Sequence, residues 1–343
     1  QNHTQVTNMT QYSATKIGSW LSAAVLAGAL GATGCGDNLH LDLGPRDADG
    51  PELNPPTDVA PTGPEFFIPD GNDVYNNASR FVPNANNPEE LIYVPGTDGP
   101  GWFYWISSDR SGWAIVGADN DGGGATIVIT RSADRPTNLT GDNVGLHWSS
   151  ADRGSIYFHE FEGGITSNTY NFSDTVTSLT TDGDYLYVGT ANGDITITDR
   201  GAGGTQWLTS ATGVPFTMTR IDDSIFWTTY DDGNGGALHE YNLEKDTTIT
   251  HLRGFSFEAG FAVNDDSIFW ADNQDRSIYA VDRTGGEPYV LAGGQYQLTD
   301  MTIGRFSLYF ATDSNDMINS VPLAGGPVTR LNNELADVSG LIL

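Results

Sequence analysis

The sequence is short of cysteine, of basic residues and of long apolar runs. Cys35 is the one cysteine among 343 residues, so no disulfide bond can form within the chain. Lysine and arginine number 15 against 44 aspartate and glutamate residues, which gives a formal net charge of −29. A surface this acidic repels phosphates, which excludes nucleic-acid partners and adhesion to anionic lipid through a basic patch. We expect a well-solvated monomer.

Recognisable catalytic motifs are missing as well. There is no Gly-x-Ser-x-Gly turn for a serine nucleophile and no phosphate-binding P-loop. The four histidines beyond the first 64 residues are His147, His159, His239 and His251. None has the close spacing of a metal-binding pair such as His-x-x-x-His, so we expect surface or strand-packing roles for them.

What the chain does contain is a repeat. An aromatic or branched apolar residue recurs at steps of 38, 43, 40, 39, 43 and 40 residues, at Phe67, Trp105, Trp148, Val188, Trp227, Trp270 and Phe310. A fixed period of this size, built from short strands, predicts an all-β fold with one β-propeller of four-stranded blades over residues 65–343. Seven anchors favour seven blades, and six is the alternative.

One repeat shows how a blade is built. Residues 267–271 alternate and are rich in aromatics, as expected for a strand buried between blades, and residues 276–282 form the next strand after a polar turn. Gly285-Gly286 then predicts a tight turn with positive φ before the edge strand 288–291.

The two ends of the predicted propeller complement each other. Residues 336–343 resemble the first strand of a further blade, and the segments at 66–68, 73–75 and 80–82 supply its other three strands. The C-terminal strand would then close the ring and leave no open sheet edge. If residues 65–90 are irregular, six blades remain.

The repeat also resembles known families. Ile268-Phe269-Trp270-Ala271-Asp272 and Ile225-Phe226-Trp227-Thr228 are similar to the repeats of YWTD-like and NHL-like propellers. That resemblance implies a module that binds a protein, a peptide or a glycan. The alternative is a propeller enzyme, a metal-dependent hydrolase, lactonase or lyase with its site at the central channel.

The N-terminal segment predicts a location. Lys16 precedes an apolar run over residues 17–31, which is the length of a signal-peptide core, and the run leads to Ala32-Thr33-Gly34-Cys35. This pattern resembles a bacterial lipoprotein signal, which implies removal of residues 1–34 and acylation of Cys35. An ordinary secretory signal with a chance cysteine is the alternative.

The same resemblance implies an address in the cell envelope. Because the aspartate stands at position 37 and not directly after Cys35, we expect the outer membrane in preference to the inner one. Translation could begin at Met9, since the sequence opens with glutamine. Residues 35–64 hold six prolines and six acids and predict a disordered tether between the acyl anchor and the propeller. The membrane contact would be made through the lipid alone.

Two groups of polar residues are candidates for chemistry. Clustered Asp and Asn in turns at 119–124, 231–236, 272–275 and 313–316 provide oxygens that calcium favours, although hairpin turns require the same residues. The residue just before each innermost strand faces the channel of a propeller, where polar groups would bind a cation or polar ligand. The repeat places six residues at or near this position: Asn138, Ser178, Thr217, Glu258, Asp300 and Asp337.

The tryptophans divide into two sets. Trp105, Trp148, Trp227 and Trp270 share one position of the repeat, which predicts that they lie in the core between blades. Trp102, Trp113 and Trp207 break the repeat. We expect these three to make exposed contacts, for example as a platform on which a carbohydrate stacks.

Overall fold

The computed structural model describes residues 67–331 with short gaps. The gaps fall at residues 71–72, 77–78, 83–84, 86–87, 97–100, 120–125, 152, 232–234, 256–259, 313–316. The predicted signal, lipidation site and tether at residues 1–64 lie outside the described residues, as do residues 332–343. Within the described part of the chain, no helix has the length and apolarity needed to cross a membrane.

Every element of the described chain is a β-strand, in six four-stranded sheets and one three-stranded sheet. Each sheet is an antiparallel meander of consecutive strands, which is one blade of a propeller. The β-propeller is therefore confirmed, with six complete blades where the repeat favoured seven and allowed six.

The strands of the first three blades follow the repeat closely. Blade 1 contains β4 (Glu89–Val94), β5 (Trp102–Asp109), β6 (Gly112–Asp119) and β7 (Thr126–Ser132). Blade 2 contains β8 (Pro136–Gly141), β9 (Gly145–Ser150), β10 (Arg153–Glu160) and β11 (Ile165–Asn171). Blade 3 contains β12 (Val176–Thr181), β13 (Tyr185–Thr190), β14 (Asp194–Asp199) and β15 (Thr205–Ser210).

The remaining three blades have the same plan. Blade 4 contains β16 (Val214–Ile221), β17 (Ser224–Asp231), β18 (Gly235–Asn242) and β19 (Thr247–Phe255). Blade 5 contains β20 (Phe261–Val263), β21 (Ser267–Asp272), β22 (Ser277–Asp282) and β23 (Tyr289–Ala292). Blade 6 contains β24 (Leu298–Ile303), β25 (Ser307–Thr312), β26 (Met317–Pro322) and β27 (Thr329–Arg330).

A three-stranded sheet precedes blade 1. It consists of β1 (Phe67–Asp70), β2 (Asp73–Asn76) and β3 (Ser79–Val82), paired in sequence order. The sequence predicted three strands in these places as part of a seventh blade. The fourth strand of that blade was expected at residues 336–343, which lie outside the described residues.

The hydrophobic core lies between neighbouring blades. One cluster joins Tyr187 of blade 3 to Trp227 of blade 4, and another joins Phe226 of blade 4 to Trp270 of blade 5. The anchors Trp105, Trp227 and Trp270 are fully buried, and Trp148 is almost so, as the repeat predicts. Because each blade covers its faces with the next one, the blades depend on each other for stability.

Ion pairs add a second, repeated connection between blades. In four consecutive blades an arginine reaches back to a carboxylate of the blade before it: Arg135–Glu89, Arg200–Asp142, Arg220–Asp182 and Arg283–Glu240. Most of these side chains are largely buried. In the Arg200–Asp142 pair, for example, each side chain is 11% exposed. Four arginines of this acidic chain therefore hold adjacent blades together in the part of the chain that the structure describes.

Glycine pairs form the turns that lead to the outer strands. Gly285 and Gly286 have φ angles of 106° and 143°, and Gly325 and Gly326 have φ angles of 82° and 141°. Residues with a Cβ atom rarely adopt these angles, so glycine is required there, as the sequence predicts.

Candidate functional site

The first strand of each blade carries the residues predicted to face the channel. Leu179, Met218 and Met301 pair directly with the anchors Val188, Trp227 and Phe310. Ser178, Thr217 and Asp300 each precede one of these residues, so they share one register position, and Asn138 holds the same place beside Leu139. Ser178 and Asp300 are buried, whereas Asn138 and Thr217 are partly exposed.

Two of the predicted channel residues cannot be placed with them. Glu258 and Asp337 lie outside the described residues, as does Cys35. In blade 5 the register position is occupied by Gly260, because Phe261 pairs with Trp270. Glu258, which was expected only near this position, stands two residues before Gly260 in the sequence.

Glu90 occupies the same position in blade 1 and was not predicted. Its carboxylate is buried, and its Oε2 accepts a hydrogen bond of 2.7 Å from the backbone N–H of Leu139 in blade 2. Burial raises the pKa of Glu90 to about 7, against smaller opposing effects from the Leu139 N–H and from Arg135. The sequence feature that could have identified Glu90 is the pair Glu90-Leu91, because it repeats the pattern of a polar residue before leucine seen in Asn138-Leu139.

Two of the described residues at this position, Asn138 and Glu90, connect blades. Asn138 Nδ2 donates to Ser149 Oγ at 2.8 Å and to the carbonyl oxygen of Val176 in blade 3 at 3.3 Å. Glu90 and Asn138 both have positive φ angles, 49° and 55°, at irregularities in their strands. Both side chains thus tie the innermost strand of one blade to that of the next.

The acidic turns divide between described and undescribed residues. In the turn at 272–275, Asp272 Oδ1 accepts a hydrogen bond from the N–H of Gln274, and Asp275 accepts one from the hydroxyl of Tyr279. Asn273 exchanges two hydrogen bonds with the backbone of Leu298 in the next blade. Among the residues that the structure describes, no three metal-ligating side chains converge on one point.

The tryptophans outside the repeat differ in exposure. Trp102 and Trp113 are half-buried, and the guanidinium of Arg135 lies 5.2 Å from the ring of Trp113. Trp207, on the outermost strand of blade 3, is 57% exposed. Of the three predicted contact residues, Trp207 therefore presents the largest accessible aromatic surface.

Trp207 is held in place by its polar edge. Its indole Nε1 donates to Asp194 Oδ1 at 3.2 Å, and Ser210 Oγ donates to the same oxygen at 2.8 Å. The hydrogen bonds from Ser210 and Trp207 lower the pKa of Asp194, so its carboxylate stays charged and continues to accept the hydrogen bond of the indole. The hydrogen bond to Asp194 thus restrains the orientation of the exposed ring in the unliganded protein.

A cavity of about 550 Å³ adjoins this ring between blades 3 and 4, and we name it the Trp207 cavity. Its lining combines aromatic and apolar side chains with planar polar groups: Tyr185, Ile197, Asp199, Gly204, Gln206, Trp207, Leu208, Tyr241, Leu243 and Asp246. Asp199 Oδ1 accepts from two backbone N–H groups, and Asp246 Oδ1 accepts from the hydroxyl of Tyr241.

A second cavity, of about 530 Å³, lies between blades 2 and 3, and we name it the His147 cavity. Tyr185 and Asp199, which pair with each other at one end of the sheet of blade 3, line both this cavity and the Trp207 cavity. Its lining residues are Val144, His147, Phe158, Glu160, Thr169, Tyr170, Gly183, Asp184, Tyr185, Asp199, Arg200 and Gly201.

His147 is the unusual member of this lining. The side chain is only 1% exposed, and neither ring nitrogen has a hydrogen-bond partner. The ring stacks on Phe158, with the centroids 4.6 Å apart and the planes 20° from parallel. Burial, with a smaller effect from the charge of Arg200, lowers the pKa of His147 to about 3, so the imidazole is neutral. The expected strand-packing role accounts for the ring but not for its two nitrogens.

Arg200 lies at the edge of the same cavity. Its guanidinium is 5.1 Å from the ring centroid of Phe158 and forms an ion pair with Asp142 of blade 2. It also donates to the carbonyl oxygen of Gly183 at 2.5 Å. Asp142 does not line the cavity, but it neutralises the charge of Arg200. The remaining charge of the lining is therefore negative and comes from Glu160, Asp184 and Asp199.

Comparison with known proteins identifies the fold. No family model and no curated protein matches the chain. A chain in the crystal structure of a nidogen/laminin complex aligns with a TM-score of 0.52 and 11% identity, covering 81% of this chain and 97% of that one. The computationally designed protein Ika8 aligns with a TM-score of 0.59 and 13% identity, covering 79% and 84%.

A third structure is similar over a shorter stretch. TolB from Acinetobacter baumannii aligns with a TM-score of 0.50 and 14% identity, covering 70% of this chain and 66% of that one. Identities this low carry information about architecture and none about ligands or chemistry. What this chain shares with these structures is the β-propeller fold.

Proposed function

We propose that this protein is a binding module of the bacterial cell envelope and that its ligand is a glycan, held in the Trp207 cavity. The observation that carries the proposal is the exposed, hydrogen-bonded ring of Trp207 next to a cavity lined by planar polar groups. A β-propeller is commonly a binding or scaffold module, and its fold leaves the ligand to be decided by the site.

The chemistry of the Trp207 cavity suits a sugar. The apolar face of a pyranose ring packs on an aromatic face, and the indole of Trp207 offers such a face in a fixed orientation. Tyr185, which is 39% exposed, adds a second aromatic surface at the junction of the two cavities. Asp199, Asp246 and Gln206 are acceptors for ring hydroxyls, and together they give the mixture of apolar area and few polar groups typical of ligand sites.

The proposal is tested by titration calorimetry of the full chain against a panel of neutral and amino-sugar oligosaccharides. For a glycan that binds, Trp207→Ala should weaken the affinity about tenfold, whereas Trp207→Phe should retain most of it. Tyr289→Ala is the matched control, since Tyr289 is an aromatic residue of similar exposure on blade 5. Equal affinity of the wild type and Trp207→Ala would overturn the proposal.

The envelope location is proposed from the sequence. The apolar run at 17–31 and the small residues before Cys35 support acylation of this cysteine, and the proline-rich segment supports a tether. Two or more acyl chains anchor a protein stably without a transmembrane helix. Metabolic labelling with a clickable fatty acid in a bacterial host tests this step, and labelling that persists in Cys35→Ser would contradict it.

A further inference from the structure

We propose that Asp194 is the positioning residue of the Trp207 cavity: it sets the orientation in which the indole meets a glycan, and it contributes to the affinity through the indole N–H. This inference rests on the proposed function, because it names the residue that prepares the stacking surface for the sugar. Asp194 is not among the residues that line the Trp207 cavity, so it acts on a ligand through Trp207 and not by contact.

The first observation is the register of the strand that carries Trp207. Strands β14 and β15 pair Asp194 with Ser210, and the register then shifts by one residue. As a result of this shift, Trp207 pairs with Thr196 and not with Ile197. Paired residues share a face of the sheet, and so do residues two apart on one strand. The irregularity therefore places Trp207 on the same face as Asp194, whereas an unbroken register would place it on the other.

The second observation is that Asp194 is itself held by hydrogen bonds. Its Oδ1 accepts from Trp207 Nε1 at 3.2 Å and from Ser210 Oγ at 2.8 Å. Its Oδ2 accepts from Asn192 Nδ2 at 2.9 Å. Asn192 Oδ1 accepts in turn from the hydroxyl of Thr190 at 2.6 Å, and Thr190 is only 3% exposed. A chain of hydrogen bonds thus connects the exposed indole to a buried hydroxyl group of the blade.

The physical consequence concerns the entropy of binding. An exposed tryptophan side chain that rotates freely loses conformational entropy when a ligand fixes it, and this loss weakens binding. A ring that is already held in one orientation avoids most of the loss. Because Asp194 supplies the hydrogen bond that holds Trp207, we expect Asp194→Ala to weaken glycan binding about threefold, which is the effect of one modest hydrogen bond.

The test is a double-mutant cycle, measured by titration calorimetry of the full chain. The ligand is the tightest-binding member of a panel that comprises the tetramers of glucose, N-acetylglucosamine and glucosamine. Asp194→Ala should weaken binding about threefold in the wild type and should have no effect in Trp207→Phe, which lacks the indole N–H. Asp194→Asn keeps an acceptor oxygen and should bind within about twofold of the wild type. Asp282→Ala is the matched control, because Asp282 is an exposed aspartate on the third strand of blade 5.

A second measurement needs no ligand. In protein labelled with ¹⁵N-tryptophan, the indole N–H resonance of Trp207 is identified by its absence from the spectrum of Trp207→Phe. Relaxation of this resonance gives an order parameter for motion on the ps–ns timescale. We expect the order parameter to be high in the wild type and in Asp194→Asn, and clearly lower in Asp194→Ala. An unchanged order parameter in Asp194→Ala would overturn the inference.

The outcomes separate this inference from the proposed function. Equal weakening by Asp194→Ala in both backgrounds would overturn the inference and leave the glycan site intact, because Asp194 would then act without the indole N–H. Wild-type affinity in Asp194→Ala would also overturn it. Binding of no member of the panel would overturn the proposed function, and the order parameter would still decide whether Asp194 orients the ring.

Discussion

The buried carboxylate of Glu90 predicts that its own contribution to the stability of the propeller falls as the pH rises. Its pKa is raised from 4.5 to about 7 in the folded protein, chiefly by burial. A carboxyl group with a raised pKa is protonated in both states at low pH, and at high pH its charged form is disfavoured only in the folded state. This contribution is therefore fully present below pH 4.5 and is lost progressively until the pH exceeds the folded pKa.

The size of the loss follows from the two pKa values. A rise from 4.5 to about 7 corresponds to roughly 3 kcal/mol, at about 1.4 kcal/mol per pH unit. Glu90→Gln removes the titration and keeps an amide oxygen that can accept the hydrogen bond of the Leu139 N–H. Burying the glutamine amide can lower the free energy of unfolding, but this cost does not depend on pH. It therefore cancels when the unfolding free energies of the same variant are compared at two pH values.

The assay is urea unfolding of the wild type and Glu90→Gln at about pH 4.5 and about pH 8. The difference in unfolding free energy between the two proteins should shift in favour of the variant by about 3 kcal/mol over this range. Glu244→Gln, at an exposed turn, controls for the many other acids and should show no such shift. A constant difference between the wild type and Glu90→Gln would refute the reasoning.

Three further predictions concern the contacts between blades and the contrast between a buried and an exposed tryptophan. Glu240→Gln leaves Arg283 and His251 without their buried carboxylate partner and should lower the free energy of unfolding by about 3–5 kcal/mol in urea titrations. Trp270→Ala should cost about 3–5 kcal/mol because the ring is fully buried between blades, whereas Trp207→Ala should cost about 1 kcal/mol or less, and differential scanning calorimetry would distinguish the two. Asn273→Ala removes both hydrogen bonds to Leu298 and should cost about 1–3 kcal/mol, and a melting temperature equal to that of the wild type would contradict this role.

Local patterns explain why much of the fold was predictable from the sequence. In the blade around Trp270, strands were expected at 267–271, 276–282 and 288–291, and the structure has them at Ser267–Asp272, Ser277–Asp282 and Tyr289–Ala292. Alternation, turn residues and the period are properties of neighbouring positions, so they are visible in one dimension. The buried tryptophan anchors follow from the same pattern.

The two cavities could not be predicted in this way. Trp207 and Tyr241 belong to different blades, and their meeting at one cavity depends on how successive sheets pack. Trp207 was a candidate because it breaks the repeat, but nothing in the sequence connects it with Tyr241.

Glu90 was missed because of an irregular step in the repeat. It precedes Asn138 by 48 residues, whereas Asn138, Ser178 and Thr217 are 40 and 39 residues apart. Blade 1 has longer strands β5, β6 and β7 than blade 3, and a longer connection between its first two strands, from Val94 to Trp102. Insertions of this kind shift the period without disturbing the strand register, so the structural position is clear only from the pairing of β4 with β5.

The central claim is that the Trp207 cavity, between blades 3 and 4, holds a glycan. Its most direct test is a crystal structure of the protein with an oligosaccharide that binds it in titration calorimetry. We predict a sugar ring parallel to the indole of Trp207. An oligosaccharide bound elsewhere, for example beside Asn138 at the inner strands, with the Trp207 cavity left empty, would contradict the account.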